Sequence, residues 1–132
     1  MNFKNIECKA EQSLAEPVNQ QIAWITGSQV CYCAEAFQGV SREHPDAAAL
    51  SVLATVLRNG FLHTAIREKG GAYGAGAAND TATNTFKFFS YRDPKCKETF
   101  FAFKDAIEWS KTSITEQHLQ EAILGVVSSI DK

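Results

Sequence analysis

Residues 62–74 read LHTAIREKGGAYG, and this stretch contains a helix, its end and the start of a strand. Its first half places apolar residues at helical spacing as far as Glu68. Gly70-Gly71 then stops the helix, because glycine adopts the left-handed conformation of a helix C-terminus without steric cost. Residues 72–78 are small apart from Tyr73, and they indicate a strand directly after this stop.

Upstream of this stretch, the pattern predicts a hairpin followed by a further helix. Residues 18–26 and 30–37 are rich in β-branched, aromatic or small side chains, and Gly27-Ser28 between them is typical of a tight turn. Pro45-Asp46 then begins a stretch of helical spacing, and Asn59-Gly60 is a candidate left-handed stop. We therefore expect two antiparallel strands and then two helices.

Downstream, the same order of elements repeats. A strand is predicted over 83–91 after a turn at Asn79-Asp80, with Phe86 and Phe88 on one face. Asp93-Pro94 is a good cap and first-turn pair for a helix with a stripe of Phe100, Phe103 and Ile107, and Thr115 caps a last helix. The order ββααββαα predicts an α+β fold, an antiparallel sheet with helices packed on one face.

The domain organisation is simple. Residues 1–17 lack periodicity and are expected to be an irregular lead-in. Residues 18–132 suffice for a single α+β domain. The sequence ends at Lys132, directly after an apolar helical pattern, so we expect that domain to be truncated at its C-terminus.

Composition and charge narrow the classes of partner. Thirteen basic and fifteen acidic residues give a formal charge of -2 without blocks of either sign, which argues against nucleic acid and anionic membranes. Uninterrupted apolar runs are too short to span a bilayer, so a soluble protein is expected. The four cysteines lack zinc-ribbon spacing and are typical of buried thiols in a reducing compartment, cytoplasm or organelle matrix.

Metal-dependent hydrolysis would need two histidines and a carboxylate at fixed spacing, as in H-x-x-E-H or H-E-x-x-H. Neither pattern is present, and the nearest approach, at residues 118–122, has Ala122 in place of the second histidine. The three histidines, His44, His63 and His118, lie in separate segments. We therefore assign no metal ligands to this chain.

Two other chemistries remain open on the residues alone. A cysteine nucleophile would need a histidine that meets it in space, and no local signature supports that arrangement. The glycine run at 70–76 invites a phosphate-loop interpretation, but its spacing fits neither G-x-G-x-x-G nor G-x-x-x-x-G-K. The absence of side chains at Gly74 and Gly76 instead suggests that another group approaches this strand closely.

Three strings together carry a resemblance to a known family: LHTAIREKGGAYG at 62–74, SYRDP at 90–94 and EAILGVVSSIDK at 121–132. They resemble the C-terminal half of the pitrilysin/insulinase family of zinc metallopeptidases, and within it the presequence-protease branch. The resemblance covers about residues 50–132. It implies a clam-like enzyme of two halves, in which H-x-x-E-H of the N-terminal half binds zinc.

The resemblance also implies roles for particular residues. Arg67 and Tyr73 match the arginine and tyrosine that reach the scissile peptide, so they are the candidate catalytic and substrate-binding residues. Gly70 and Gly71 would bring both side chains to the chamber wall. Zinc would be the cofactor of the full-length enzyme and would not bind to this fragment; the partners would be the N-terminal half and peptide substrates.

The resulting hypothesis is a non-catalytic C-terminal domain of a zinc metalloendopeptidase that degrades unstructured peptides, inactive as an isolated fragment. The alternative is a structural or partner-binding domain of an inactive family member. An arginine and a tyrosine at this spacing argue against a mere scaffold. A self-contained cysteine hydrolase is the third hypothesis, and thiol reactivity would test it.

Overall fold

A computed structural model describes residues 20–130 as a three-stranded antiparallel sheet packed against helices. Strand β3 lies in the centre, between β1 and β2. The helices cover the sheet face that carries Phe88, whose ring stacks on that of Phe103 with centroids 5.4 Å apart. The expected α+β class is confirmed, with the strands β1 Cys31–Gln38, β2 Gly74–Asp80 and β3 Thr85–Asp93.

The side chains of the central strand alternate between a buried face and a partly exposed face. Phe86, Phe88 and Ser90 are buried on the helix side, whereas Lys87 and Phe89 on the other face are partly exposed. This is the two-faced pattern predicted for the strand. The turn before it lies at 81–84 rather than at the predicted Asn79-Asp80, because both of those residues pair with β3.

The helix before β2 is continuous where a stop was predicted at Asn59-Gly60. Helix α1, Ala47–Leu57, runs directly into a π-helical segment, Arg58–Glu68, and Gly60 keeps a negative φ. By length and composition this 22-residue helix could cross a membrane, but it is the helix that carries the buried core residues Leu57, Leu62 and Ile66.

Two further helices complete the described structure, α2 over Lys97–Thr112 and α3 over Glu116–Ile130. The predicted stripe of α2 is confirmed, since Phe103 is fully buried with Phe100 and Ile107 packed beside it. Thr115 caps α3 as predicted: its hydroxyl accepts from the His118 N–H at 3.2 Å, and His118 Nδ1 accepts from the Thr115 N–H at 3.0 Å.

The first predicted strand is wrong where it can be judged. Residues 20–30 contain no strand, and Ile25 is 98% exposed. A β-rich composition stabilises a strand only when neighbouring strands supply pairing and burial, and β1 has only β3 as a partner among the described residues. Residues 18–19 and the lead-in at 1–17 lie outside the described residues.

Candidate functional site

The predicted helix stop at Gly70-Gly71 is confirmed and has a clear steric basis. Gly71 has φ +85°, and its N–H donates to the Arg67 carbonyl at 3.0 Å. The Ala72 N–H donates to the Ile66 carbonyl at 3.1 Å. A Cβ at Gly70 would lie 2.5 Å from that same carbonyl oxygen, so the tight turn requires glycine at both positions.

Tyr73 lies immediately after this turn, and a hydrogen bond fixes its backbone. Its N–H donates to the Arg92 carbonyl at 3.2 Å, which ties it to the end of β3. The side chain is 63% exposed, and its hydroxyl makes no hydrogen bond within residues 20–130. An exposed phenol on a fixed backbone is available to donate to a ligand.

Two consecutive residues of β3 hold the Tyr73 ring. The Tyr91 ring lies 5.7 Å from it between centroids, and the Arg92 guanidinium carbon lies 5.8 Å from the Tyr73 centroid. Both distances fall within the range of attractive ring and cation–π contacts. We call Tyr73, Tyr91 and Arg92 the aromatic cluster.

A bulge in β3 creates this cluster. Cys33 pairs with Ser90 but Cys31 pairs with Asp93, so β3 has one extra residue in this interval, and Arg92 takes φ +48°. Beyond the bulge, Asp93 turns inward and is fully buried. Its side chain was predicted to cap a helix beginning at Pro94; instead α2 begins at Lys97.

The buried Asp93 carboxylate anchors the far side of the bulge. It accepts from the Ser90 hydroxyl at 2.8 Å, the Lys95 N–H at 2.9 Å and the Thr99 hydroxyl. Three donors satisfy a charge that burial would otherwise penalise strongly. This explains why a helix cap was the wrong prediction: the carboxylate is used to join strand and helix rather than to begin the helix.

Arg67 lies in the last turn of the π-helical segment, next to the glycine turn. Its side chain is exposed and forms no ion pair among residues 20–130. A cation at a helix C-terminus is favourable in itself. No hydrogen bond or cation–π contact joins the Arg67 and Tyr73 side chains in the part of the chain that the structure describes.

The close approach expected at Gly74 and Gly76 is made by side chains of the protein itself. A Cβ at Gly74 would overlap the Tyr91 ring, and one at Gly76 would lie 3.0 Å from the Phe89 ring. Aromatic rings of the neighbouring strand therefore approach both glycines, and the Arg58 side chain also lies close to Gly76.

Comparison with known proteins agrees with this architecture. A family model described as the peptidase M16 inactive domain matches residues 3–126. The chain belongs to this peptidase M16 family. Curated relatives of this M16 domain include presequence protease, mitochondrial, from Kluyveromyces lactis, 44% identical over 105 residues, which are 78% of this chain and 11% of that protein.

The similarity to vertebrate relatives extends over nearly the whole chain. The proteins named presequence protease, mitochondrial, from Xenopus tropicalis and Mus musculus are each 40% identical over 130 residues, or 98% of this chain. The chain spans about 11% of the length of these relatives. The resemblance stated from the sequence is confirmed.

The M16 domain has no zinc ligand set among residues 20–130, where no group of three potential ligands occurs. His44 Nδ1 accepts from the Asp46 N–H at 3.0 Å, and His63 lies 3.3 Å from a Glu68 carboxylate oxygen. His118 caps α3 and packs on Trp109. The described residues therefore do not fit the zinc ion that the family implies.

Two thiols of the sheet, those of Cys31 and Cys33, are shifted away from the reactive thiolate form. Burial raises the pKa of Cys33 to about 11, with nearby Cys96 and Asp93 adding to the effect against a hydrogen bond from Ser90. The pKa of Cys31 is also raised, by desolvation and then by Cys96. A thiolate nucleophile needs the opposite shift, so the cysteine-hydrolase hypothesis loses support from these two residues.

Arg92 and Tyr91 are the members of the aromatic cluster that sequence reasoning missed. Both lie in SYRDP, which entered only as a part of the resemblance. Phe86, Phe88 and Ser90 are buried at every second position, so strict alternation would put Asp93 on the exposed face. Asp93 is instead fully buried. A charged residue that follows Ser90 by three positions is therefore the signal of a bulge that could have identified them.

Proposed function

We propose that this chain is the substrate-clamping domain of a zinc metalloendopeptidase that degrades unstructured peptides. In this role Tyr73 and Arg67 complete an active site whose zinc is bound by the N-terminal half of the same peptidase. The observation that carries the proposal is the exposed phenol of Tyr73, held by its backbone and ring, with no partner for its hydroxyl among residues 20–130.

Tyr73 is suited to stabilise developing charge. When water attacks a peptide carbonyl, negative charge grows on the carbonyl oxygen. A donor aimed at that oxygen therefore lowers the energy of the transition state more than that of bound substrate. A hydroxyl without an internal acceptor gives up no protein hydrogen bond when it makes this contact.

Arg67 is suited to hold the main chain of the substrate. Its guanidinium is permanently charged, exposed and free of carboxylate partners among residues 20–130. Several parallel N–H donors can engage a peptide carbonyl and fix its register. Gly70 and Gly71 contribute by making the turn between Arg67 and Tyr73 tight enough for both to face one peptide.

The zinc and the compartment are parts of the same proposal. The N-terminal half would carry H-x-x-E-H, and its zinc would activate the attacking water. Curated relatives carry the words presequence protease and mitochondrial in their names, which favours an organelle matrix and short peptide substrates for this protein too.

The alternative is a structural or partner-binding domain of an inactive family member. It is favoured by the apolar side chains that α3 exposes, with Ile130 74% exposed and Leu124 68% exposed. Such a surface suits contact with another part of a larger protein. A scaffold, however, gives no reason for an exposed Tyr73 hydroxyl and an exposed Arg67 guanidinium that both lack partners among residues 20–130.

A reconstitution experiment separates the two roles. The remainder of the peptidase, carrying H-x-x-E-H, is produced as a separate chain and assayed on an unstructured peptide with and without this chain. We expect zinc in the remainder, little cleavage by either part alone and recovery on mixing. Recovery that is equal with the Tyr73→Phe, Arg67→Gln double variant would favour the structural role.

A further inference from the structure

We infer that Arg92 is a positioning residue, which fixes the rotamer of Tyr73 by holding its guanidinium against the phenol ring. This inference rests on the proposed function, because it gives Arg92 a role in catalysis only through Tyr73. The juxtaposition that carries it is a cation 5.8 Å from the ring centroid, presented by a β-bulge at the residue whose carbonyl binds the Tyr73 N–H.

The backbone of Arg92 is held in an unfavourable conformation. Its φ of +48° is one of two positive values at residues other than glycine within 20–130, the other being Asn84 in a turn. Arginine gains nothing locally from this conformation, whereas asparagine tolerates it well. Strain of this kind persists where surrounding contacts impose it, and such positions cluster at functional sites.

The contacts that impose this conformation lie on both sides of the bulge. On one side, Asp93 is fully buried and fixed by Ser90 and Thr99. On the other, the Arg92 carbonyl accepts from Tyr73. Between these anchors, the chain places the Arg92 guanidinium carbon 5.8 Å from the Tyr73 ring centroid.

The Arg92 guanidinium has no carboxylate partner within residues 20–130. The neighbouring Asp93 carboxylate is engaged with three donors in the interior. The charge of Arg92 is therefore directed at the Tyr73 ring rather than neutralised elsewhere. A cation–π contact at an exposed ring is modest, but it is sufficient to favour one rotamer.

One fixed rotamer matters because Tyr73 is 63% exposed, and the Tyr91 ring is the one other ring contact that restrains it among residues 20–130. A donor that stabilises a transition state must already point at the developing charge. Without the cation, Tyr73 would spend part of its time turned away. The loss would fall on kcat, with KM little changed, because ground-state binding does not require the phenol.

The experiment uses the full-length peptidase that contains this chain. We expect Arg92→Gln to lower kcat about three- to tenfold with little change in KM, the range that follows from a contact of this strength. Arg92→Lys keeps a cation near the ring and should give a kcat between those of the parent and Arg92→Gln. A Lys variant no better than Gln would overturn the role of the charge.

A matched pair of variants separates positioning from folding. Arg92→Gly removes the guanidinium and relieves the positive φ, so it should lower kcat as Arg92→Gln does while the melting temperature is maintained. Asn84→Gly relieves the other positive φ and should leave kcat unchanged. An Arg92→Gly enzyme with parental kcat would overturn the inference.

The last comparison distinguishes this inference from the proposed function. In a Tyr73→Phe background there is no hydroxyl to position, so Arg92→Gln should add almost no further loss of kcat. A full additional loss would mean that Arg92 acts on substrate directly, against the inference. If Tyr73→Phe leaves kcat unchanged, the proposed function itself fails. If Tyr73→Phe lowers kcat but the Arg92 variants leave it unchanged, this inference fails and the proposed function stands.

Discussion

The indole of Trp109 in α2 occupies the space that a side chain at Gly60 would fill. The same ring packs against Phe61 and against His118 at the start of α3, with centroids 5.9 Å and 5.3 Å away. The π-helical segment, α2 and α3 therefore pack together around Gly60. Its role is close packing rather than termination of a helix.

We expect Gly60→Ala to destabilise the chain by about 1–3 kcal/mol, because the added methyl group must displace the indole from a packed site. Gly125→Ala is the matched control in another helix, where the nearest side-chain atom lies 3.8 Å from the added Cβ. That change should stabilise by up to about 1 kcal/mol through helix propensity. Urea unfolding of both variants measures the difference; equal effects would contradict the packing role.

Loss of a hydrogen bond to the buried Asp93 carboxylate should lower the free energy of unfolding. Thr99→Val removes one of the three donors to a fully buried carboxylate, and we expect a loss of about 2 kcal/mol, as for hydrogen bonds to charged groups. Thr112→Val, at an exposed position of the same helix, should change stability by less than about 0.5 kcal/mol. Comparable losses in the two variants would show that Asp93 is not an anchor.

The raised pKa of Cys33 predicts a pH-dependent reactivity. At pH 8 an alkylating reagent should modify exposed Cys96 well before Cys33, because the Cys33 thiol ionises only near a pKa of about 11 and is also buried. Mass spectrometry of timed samples identifies each site, and urea-unfolded chain is the control in which the difference disappears. Equal rates in the folded chain at pH 8 would contradict the burial of Cys33.

The same shift has a defined consequence for stability. The pKa of Cys33 is raised on folding from its ordinary value near 9, so the neutral thiol is the form that the native state favours. Its contribution is therefore fully present below about pH 9 and is lost as the pH rises towards 11. Cys33→Ala should remove this part of the alkaline destabilisation.

Local patterns in the sequence predicted the parts of the fold that local physics decides. The alternation around Phe86 and Phe88 placed the central strand, and Gly70-Gly71 ended the helix where expected, because both depend on neighbours in the chain. Thr115 capped α3 for the same reason.

The features that sequence reasoning missed depend on contacts between distant residues. Asn59-Gly60 is a pair typical of a helix stop. Only the structure shows that the glycine is needed there because the Trp109 ring packs against it. The strand predicted over 18–26 lacks a partner strand in its described part. Arg92 joins Tyr73 only because the register with Cys31 and Cys33 forces a bulge.

The most direct test of the proposed function is the kcat of full-length peptidase carrying Tyr73→Phe, measured beside its unfolding free energy. Removal of an oxyanion donor should lower kcat about 10²- to 10³-fold. Because Tyr73 is exposed and its hydroxyl has no partner among residues 20–130, stability should change by less than about 0.5 kcal/mol. A variant that is as stable and as active as the parent would contradict the assignment of Tyr73 to the reaction.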